Sequence, residues 1–153
     1  MRLQHEARVV AVAGLGGTAL IHALWAAGAD WPARDREGLA DLVYGSHPFP
    51  GTAATTAVAA TLVAATGLIA VRSGLISRAS GWRDSALVRY GSRAVAAALA
   101  TRGAAGVVAS GLSLGDWSER YRHWDLRLYS PLCLGLAVAV IVAETRQIQG
   151  RSS

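Results

Sequence analysis

The chain has 153 residues, of which 52% are hydrophobic and only 16% are charged, whereas about a quarter of the residues in a soluble domain are charged. The charged residues gather in short segments between long apolar runs, which is typical of a polytopic membrane protein rather than a soluble domain. The net charge of +5 comes from arginines that flank the apolar runs without forming a continuous basic face, so nucleic acid is not an expected partner.

A transmembrane helix needs about 20 apolar residues, and four segments of the chain meet or approach that length. They cover residues 9–29, 52–71, 94–114 and 126–143. A helix satisfies its own backbone hydrogen bonds in lipid, where an open strand cannot. The sequence therefore predicts an all-α membrane protein, a bundle of four transmembrane helices in a single domain over residues 1–153.

The first apolar segment has an alternative interpretation as a cleaved signal peptide. Arg2 and Arg8 form a basic region before it, and residues 27–29 have the small side chains of a cleavage site. The apolar run is longer than the core of a typical signal peptide, which favours a retained first helix.

The connection after the first span is long for a bundle and contains "DREGLADLVYG". This pattern predicts a short amphipathic helix, with Leu39, Leu42 and Val43 on one side and Gly45 at its end. Aromatic residues lie nearby, so the helix is expected at the membrane interface, with a lid over the mouth of the bundle as the alternative.

The arginines near the span ends predict the orientation of the bundle. Nine of them lie on the side that holds both termini and residues 72–93, and five lie on the other side. Because cytoplasmic segments carry the excess of basic residues, both termini are expected in the cytoplasm.

Arg102 lies near the middle of the third predicted span, with at least eight apolar or small residues on each side. A charge at this depth costs at least about 2.5 kcal/mol, so Arg102 should face the bundle interior or a wet cavity and have a partner. An ionisable residue inside a span indicates a functional site, and a structural ion pair that holds two helices in register is the alternative.

His22 in the first span and Arg102 in the third lie at similar distances from the predicted cytoplasmic ends of their spans. Since each residue of a helix advances about 1.5 Å, the two residues are at similar depths in the membrane. Trp25 follows one helical turn later. A shared pocket is therefore predicted, with His22 as a candidate acid or base. A neutral His22 that is bonded to a threonine or a backbone carbonyl is the alternative.

A polar segment leads into the fourth span and contains three candidate site residues: Asp125, Tyr129 and Ser130. Ser130 followed by Pro131 is a helix-start signal, but it leaves only a short apolar stretch to cross the bilayer. Either the helix begins earlier, or residues 124–130 enter the bundle in a non-helical form. In the second arrangement, Asp125 is the best available carboxylate partner for Arg102 or His22.

Metal and cofactor chemistry is not indicated. The four histidines and the single cysteine, Cys133, lack the spacing of zinc or haem ligands. The glycine-rich residues 14–17 lie inside a span and not in a phosphate-binding loop. One cysteine also excludes a disulfide within the chain.

Three motifs carry a resemblance to a known family: "IHALWAAGADWP" in the first span, the Arg102–Gly103 pair in the third, and "DLRLYSPLCLGL" at the start of the fourth. On these motifs the chain resembles the small bacterial four-helix membrane proteins of the domain-of-unknown-function 3995 family. The resemblance implies a four-span fold in a bacterial inner membrane and no established activity. Six candidate site residues match the pattern of the family: His22, Trp25, Arg102, Asp125, Tyr129 and Ser130. The chain departs from the family around Trp31, to which no role is therefore transferred.

We therefore expect a polar pocket for a lipophilic small molecule, with acid–base chemistry such as an isomerisation or a cyclisation as one reaction class. His22 or Asp125 would serve as the acid or base, Arg102 would anchor an anionic group, and the ligand would be lined by Trp25, Tyr129 and Ser130.

Two alternatives remain open at this stage. The first is an accessory or assembly subunit in which Arg102 and Asp125 form a structural pair. The second is a transporter, which would have to be an oligomer because four spans without an internal repeat are few for a transporter acting alone.

Overall fold

The computed structural model describes residues 2–144, and these residues form helices and short connections with no strand among them. Six α-helices follow in chain order: α1 (Arg2–Ala26), α2 (Arg36–Val43), α3 (Thr52–Ser73), α4 (Ala86–Gly111), α5 (Glu119–Trp124) and α6 (Ser130–Glu144). A 3-10 segment, Ser77–Trp82, precedes α4, and a π-helical segment, Asp125–Tyr129, joins α5 directly to α6.

The predicted four-helix membrane bundle is confirmed. α1, α3, α4 and the continuous helix Glu119–Glu144, which we call the fourth span, are each long and apolar enough to cross a membrane. α1 packs against α3 and α6, and α4 packs against α6 and α3, so α1 and α4 lie diagonally across the bundle. The connections 27–51 and 112–118 meet at one end of the bundle, which we call the α2 end.

The helices extend beyond the predicted spans because polar residues at their ends continue the helical backbone. α1 begins at Arg2 rather than at residue 9, and α4 begins at Ala86 rather than at residue 94. Ser85 caps α4 by accepting a hydrogen bond from the backbone N–H of Val88. The apolar run thus marks the part of a helix that can cross the hydrocarbon, whereas the caps decide where the helix begins.

The fourth span begins at Glu119 rather than at residue 126. Ser118 is its N-cap, since the Ser118 hydroxyl accepts a hydrogen bond from the Tyr121 N–H at 3.1 Å. An earlier helix start, one of the two arrangements expected for this segment, is therefore the observed one. Ser130 and Pro131 lie within a continuous helix, and residues 124–130 are helical.

A π turn accommodates Pro131 inside the fourth span. The Ser130 N–H donates to the carbonyl oxygen of Asp125, five residues earlier. In a regular α-helix, the ring of Pro131 would clash with the carbonyl group of Arg127, and its missing N–H would break the hydrogen-bond ladder. The wider π register immediately before the proline removes this conflict without ending the helix.

The predicted short helix in the first connection is present as α2. Asp35 caps it by accepting the Gly38 N–H at 2.7 Å, and Gly45 follows its end with a φ of 79°. Its apolar side is buried through Leu39, Ala40 and Leu42. Two hydrogen bonds attach it to the fourth span: the Ser118 hydroxyl donates to the Asp41 carbonyl at 2.9 Å, and the Tyr129 hydroxyl donates to the Leu42 carbonyl at 3.2 Å. α2 is therefore fixed over the start of the fourth span.

At the end of the bundle opposite the α2 end, a group of charged and polar side chains joins three helices. Arg72, which is 7% exposed, donates to the Arg83 carbonyl at 3.1 Å and to the Asp84 carboxylate at 3.2 Å. Its Nε lies 3.7 Å from the carboxylate of Glu144, which also accepts a hydrogen bond from the Ser92 hydroxyl. α3, α4 and the fourth span thus meet around one carboxylate.

Close approach of α4 to the fourth span depends on Gly103. A Cβ at this position would lie 2.7 Å from Leu134 Cγ and 2.9 Å from the Ser130 carbonyl oxygen. We expect Gly103→Ala to lower the free energy of unfolding by about 1–3 kcal/mol, the usual cost of overpacking. Gly135→Ala is the matched control, since its Cβ would meet nothing within 4 Å, and it should be neutral or stabilising by up to about 1 kcal/mol. Thermal unfolding in detergent compares the two variants, and equal melting temperatures would contradict this account of the contact.

Candidate functional site

Arg102 on α4 is paired with Asp125 on the fourth span. Arg102 Nη2 donates hydrogen bonds to Asp125 Oδ1 at 2.8 Å and to the Tyr121 hydroxyl at 2.9 Å. The Asp125 side chain is fully buried, whereas the Arg102 side chain is 44% exposed. The pair therefore joins two spans with its carboxylate inside the protein and its guanidinium at the edge.

Ser110 engages the second oxygen of the same carboxylate. Its hydroxyl donates to Asp125 Oδ2 at 2.6 Å, and the Ser110 side chain is itself buried. Hydrogen bonds to an ionised group are roughly twice as strong as those between neutral groups. Both oxygens of Asp125 are thus held by donors of α4, which positions the carboxylate firmly and leaves it poorly placed to exchange protons with a ligand.

Gly106 leaves space beside the backbone of α4 for the polar side chains around Asp125. A Cβ at Gly106 would overlap the Ser130 hydroxyl and Arg102 Nη1, and it would lie 2.8 Å from Asp125 Oδ2. The Ser130 side chain is fully buried, and its hydroxyl has no hydrogen-bond partner among residues 2–144. Three polar groups therefore converge where α4 has no side chain. With the other residues that bind Asp125 and Arg102, they form what we call the polar cluster: Arg102, Ser110, Tyr121, Asp125 and Ser130.

Tyr129 connects the fourth span to α2. Its hydroxyl donates to the Leu42 carbonyl, and its ring lies 6.2 Å from the ring of Tyr121, measured between centroids. Tyr121 also occupies the space where Gly45 has no side chain, with ring atoms 2.8–2.9 Å from the position of a Cβ there. The two tyrosines thus fill the region between the polar cluster and α2.

His22 and Trp25 lie elsewhere, in a cavity of about 360 Å³ that we call the α1–α3 cavity. His22 Nδ1 lies 2.9 Å from the Thr18 carbonyl oxygen, and the His22 and Trp25 rings are 4.9 Å apart between centroids. The other lining residues come from the end of α2, the following connection and α3: Val43, Tyr44, Phe49, Pro50, Ala54, Thr55 and Val58. The cavity lining is therefore largely apolar, with one imidazole.

Arg36 holds the wall of the α1–α3 cavity in place. It donates to the carbonyl oxygen of Trp25 at 3.0 Å, which also accepts the backbone N–H of Gly28 at 3.2 Å at the end of α1. Its guanidinium also lies 4.3 Å from the centre of the Phe49 ring and 3.3 Å from the Asp30 carboxylate. The Trp25 indole N–H donates to the Trp31 carbonyl at 2.7 Å. The wall is thus fastened by groups outside the cavity's apolar lining.

The structure divides the predicted site residues between two places. Arg102, Asp125 and Ser130 meet in the polar cluster, whereas His22 and Trp25 line the α1–α3 cavity, whose lining includes none of those three. Equal depth did not bring His22 to Arg102, because α1 and α4 are diagonal. Over residues 2–144, no group of three or more His, Cys, Asp and Glu side chains could hold a metal ion.

Two members of the polar cluster, Ser110 and Tyr121, and the adjoining Gly106 were not identified from the sequence as site residues. Gly106 and Ser110 follow Arg102 at intervals of four residues, which places them along one side of α4, so helical spacing was a usable signal. Tyr121 gave no such signal because it precedes the apolar part of the fourth span.

Comparison with known proteins places the chain in a family. The model of a family described as "Protein of unknown function (DUF3995)" matches residues 15–140, which include all the predicted site residues. No curated protein and no solved structure matches the chain. Since the match covers most of the sequence and the fold has four helices suited to a membrane, the chain belongs to the DUF3995 family, whose function is unknown.

Proposed function

We propose that the protein binds a lipophilic small molecule within the membrane, in the α1–α3 cavity. The observation that supports this function is the cavity itself: about 360 Å³ walled by Trp25, Phe49 and Val58. Sites for small molecules have volumes of roughly 300–1,000 Å³ and are lined mainly by apolar and aromatic side chains with a few polar groups. The polar group here is His22, which would orient the ligand.

His22 is better suited than Asp125 to act as an acid or base on such a ligand. The Thr18 carbonyl oxygen only accepts hydrogen bonds, so His22 Nδ1, 2.9 Å away, carries the proton. In the neutral ring this leaves a lone pair on Nε2. Asp125, in contrast, accepts hydrogen bonds at both oxygens. An isomerisation or cyclisation of the bound molecule would therefore use His22 Nε2.

Filling the α1–α3 cavity tests the proposed function. We expect Val58→Trp to reduce the amount of lipophilic compound that copurifies with the protein by about tenfold or more, as the loss of roughly 1.4 kcal/mol of binding free energy would. Val63→Trp is the matched control, because Val63 is exposed on the same helix and does not line the cavity. Mass spectrometry of solvent extracts from the two purified proteins gives the comparison. Equal amounts of the same compounds in both would refute ligand binding in this cavity.

A second candidate function is that of an accessory or assembly subunit, in which Arg102 and Asp125 form a structural pair. The complete engagement of the buried Asp125 carboxylate by Arg102 and Ser110 favours this role. The protein would then contribute a rigid four-helix unit to a larger complex and would need no ligand of its own.

The structural pair makes a quantitative prediction for stability. Arg102→Ala and Asp125→Ala should each lower the free energy of unfolding by about 3 kcal/mol, the lower end of the cost of breaking a buried ion pair, because Arg102 is partly exposed. The double variant should lose clearly less than the sum of the two, since the remaining charge is no longer unpaired. Arg127→Ala, at an exposed residue of the π segment, is the control. Strictly additive losses in denaturant or thermal unfolding would contradict a coupled pair.

We infer that the protein lies in a bacterial inner membrane, as its four membrane-suited helices and the resemblance to small bacterial membrane proteins suggest. We further infer that both termini lie in the cytoplasm, because nine arginines flank the spans on that side and five on the other. A variant with Cys133→Ala can carry a single new cysteine at Asp116 or at Gly81, both exposed and at opposite ends of the bundle. A membrane-impermeant maleimide added to intact cells should label the cysteine at position 116 and not the one at 81. The reverse labelling pattern would invert the orientation.

A further inference from the structure

Among residues 2–144, Arg102 uses one of its three side-chain nitrogens as a hydrogen-bond donor. Nη2 donates both of its hydrogens, one to Asp125 and one to Tyr121. Nη1 and Nε have no acceptor in the part of the chain that the structure describes. Three N–H donors therefore remain on a side chain that is 44% exposed.

The depth of Arg102 makes these donors significant. α4 has 26 residues and is therefore about 39 Å long, whereas the hydrocarbon layer is about 30 Å thick. With α4 centred in the bilayer, the Cα of Arg102 lies about 5 Å from the midplane on the side of the α2 end. The guanidinium reaches Gly106, one turn nearer that end, and it is still inside the hydrocarbon layer. Donors without an acceptor at this depth cost several kcal/mol.

The charge around the polar cluster favours an anion as the missing acceptor. Arg122 donates to the carbonyl oxygen of Ser110 at 3.3 Å, and the Ser110 hydroxyl binds Asp125. A second guanidinium group therefore lies beside the polar cluster, which holds one carboxylate. Two of the four neighbours of Arg102 on the helix surface, Ala98 and Ala105, are exposed and small. They leave room for a hydrocarbon chain to lie against α4 beside the guanidinium.

We propose that the Arg102 guanidinium binds the anionic head group, a carboxylate or a phosphate, of an amphiphile whose chain lies in the membrane along α4. The head group accepts hydrogen bonds from Nη1 and Nε while Nη2 keeps its bonds to Asp125 and Tyr121. The ligand comes either from a free fatty acid or from an anionic phospholipid, since both carry charged oxygens at one end of a hydrocarbon chain. This site is separate from the α1–α3 cavity and does not depend on the function proposed for it.

Matched charged and neutral probes test the head-group site. Full-length protein, delipidated in a neutral detergent, is incubated with oleate or with oleyl alcohol, and with phosphatidylglycerol or with diacylglycerol, which lacks the phosphate, and bound lipid is counted by native mass spectrometry. We expect at least one anionic probe to bind about tenfold more tightly than its neutral counterpart, as the loss of a charge-assisted hydrogen bond implies. Preference for oleate identifies a carboxylate, and preference for phosphatidylglycerol identifies a phosphate. Equal binding of charged and neutral probes in both pairs would overturn the proposal.

Two substitutions with opposite expected effects locate the site. Arg102→Gln should weaken binding of the preferred anion by about tenfold or more, while Arg127→Gln, at an exposed arginine whose side chain contacts His123, should leave it nearly unchanged. Asp125→Asn retains the shape of the side chain but removes the competing negative charge, so it should tighten anion binding several-fold. This variant keeps the test decisive if Arg102→Gln does not fold. Unchanged or weaker binding by Asp125→Asn would overturn the proposal.

Failure of this proposal is distinguishable from failure of the α1–α3 cavity. Val58→Trp should leave binding of the anionic probe unchanged, because Val58 lines the cavity and is not part of the polar cluster. Loss of the anionic probe in Val58→Trp would place the probe in the α1–α3 cavity and refute the site at Arg102.

Discussion

A carboxylate with no exposed surface inside a transmembrane helix is the constraint on which the rest of the structure depends. An ionised group in hydrocarbon is very costly unless it is paired and hydrogen-bonded. Asp125 meets that requirement with Ser110 and Arg102, both on α4. The relative position of α4 and the fourth span is therefore fixed by short polar contacts as well as by packing, and the missing side chain of Gly106 leaves room for them.

The first residues of the fourth span also position the α1–α3 cavity, through a series of contacts that runs by way of α2. The Ser118 and Tyr129 hydroxyls donate to carbonyls of α2, and α2 begins at Arg36. Arg36 in turn holds the last turn of α1 through the Trp25 carbonyl and lies over the Phe49 ring. The two places into which the predicted residues divide are thus mechanically connected through α2. A change at the polar cluster can reach the cavity wall without any direct contact between Arg102 and His22.

The sequence was a good guide where a large energetic cost acts locally. Apolar length predicted the four spans, the "DREGLADLVYG" pattern predicted α2, and the cost of a buried charge predicted a partner for Arg102. It failed where the outcome depends on how helices are arranged around the bundle, since depth along an axis does not say which side chains face each other. It offered an earlier start for the fourth helix but did not locate that start at Glu119, because a cap in a polar segment gives a weaker signal than the change in hydropathy that follows it.

The π turn explains how a carboxylate at each end of the fourth span can meet the same side of α4. Ser92 and Ser110 of α4 donate to Glu144 and Asp125 respectively. The two serines are 18 residues apart, which is five turns of an α-helix, so both face the same side. The two carboxylates are 19 residues apart, which in a regular α-helix would rotate one about 100° away from the other. A π turn adds one residue to a helical turn, and the segment Asp125–Tyr129 lies between the two carboxylates. The irregular turn before Pro131 therefore aligns both carboxylates with their hydroxyl donors.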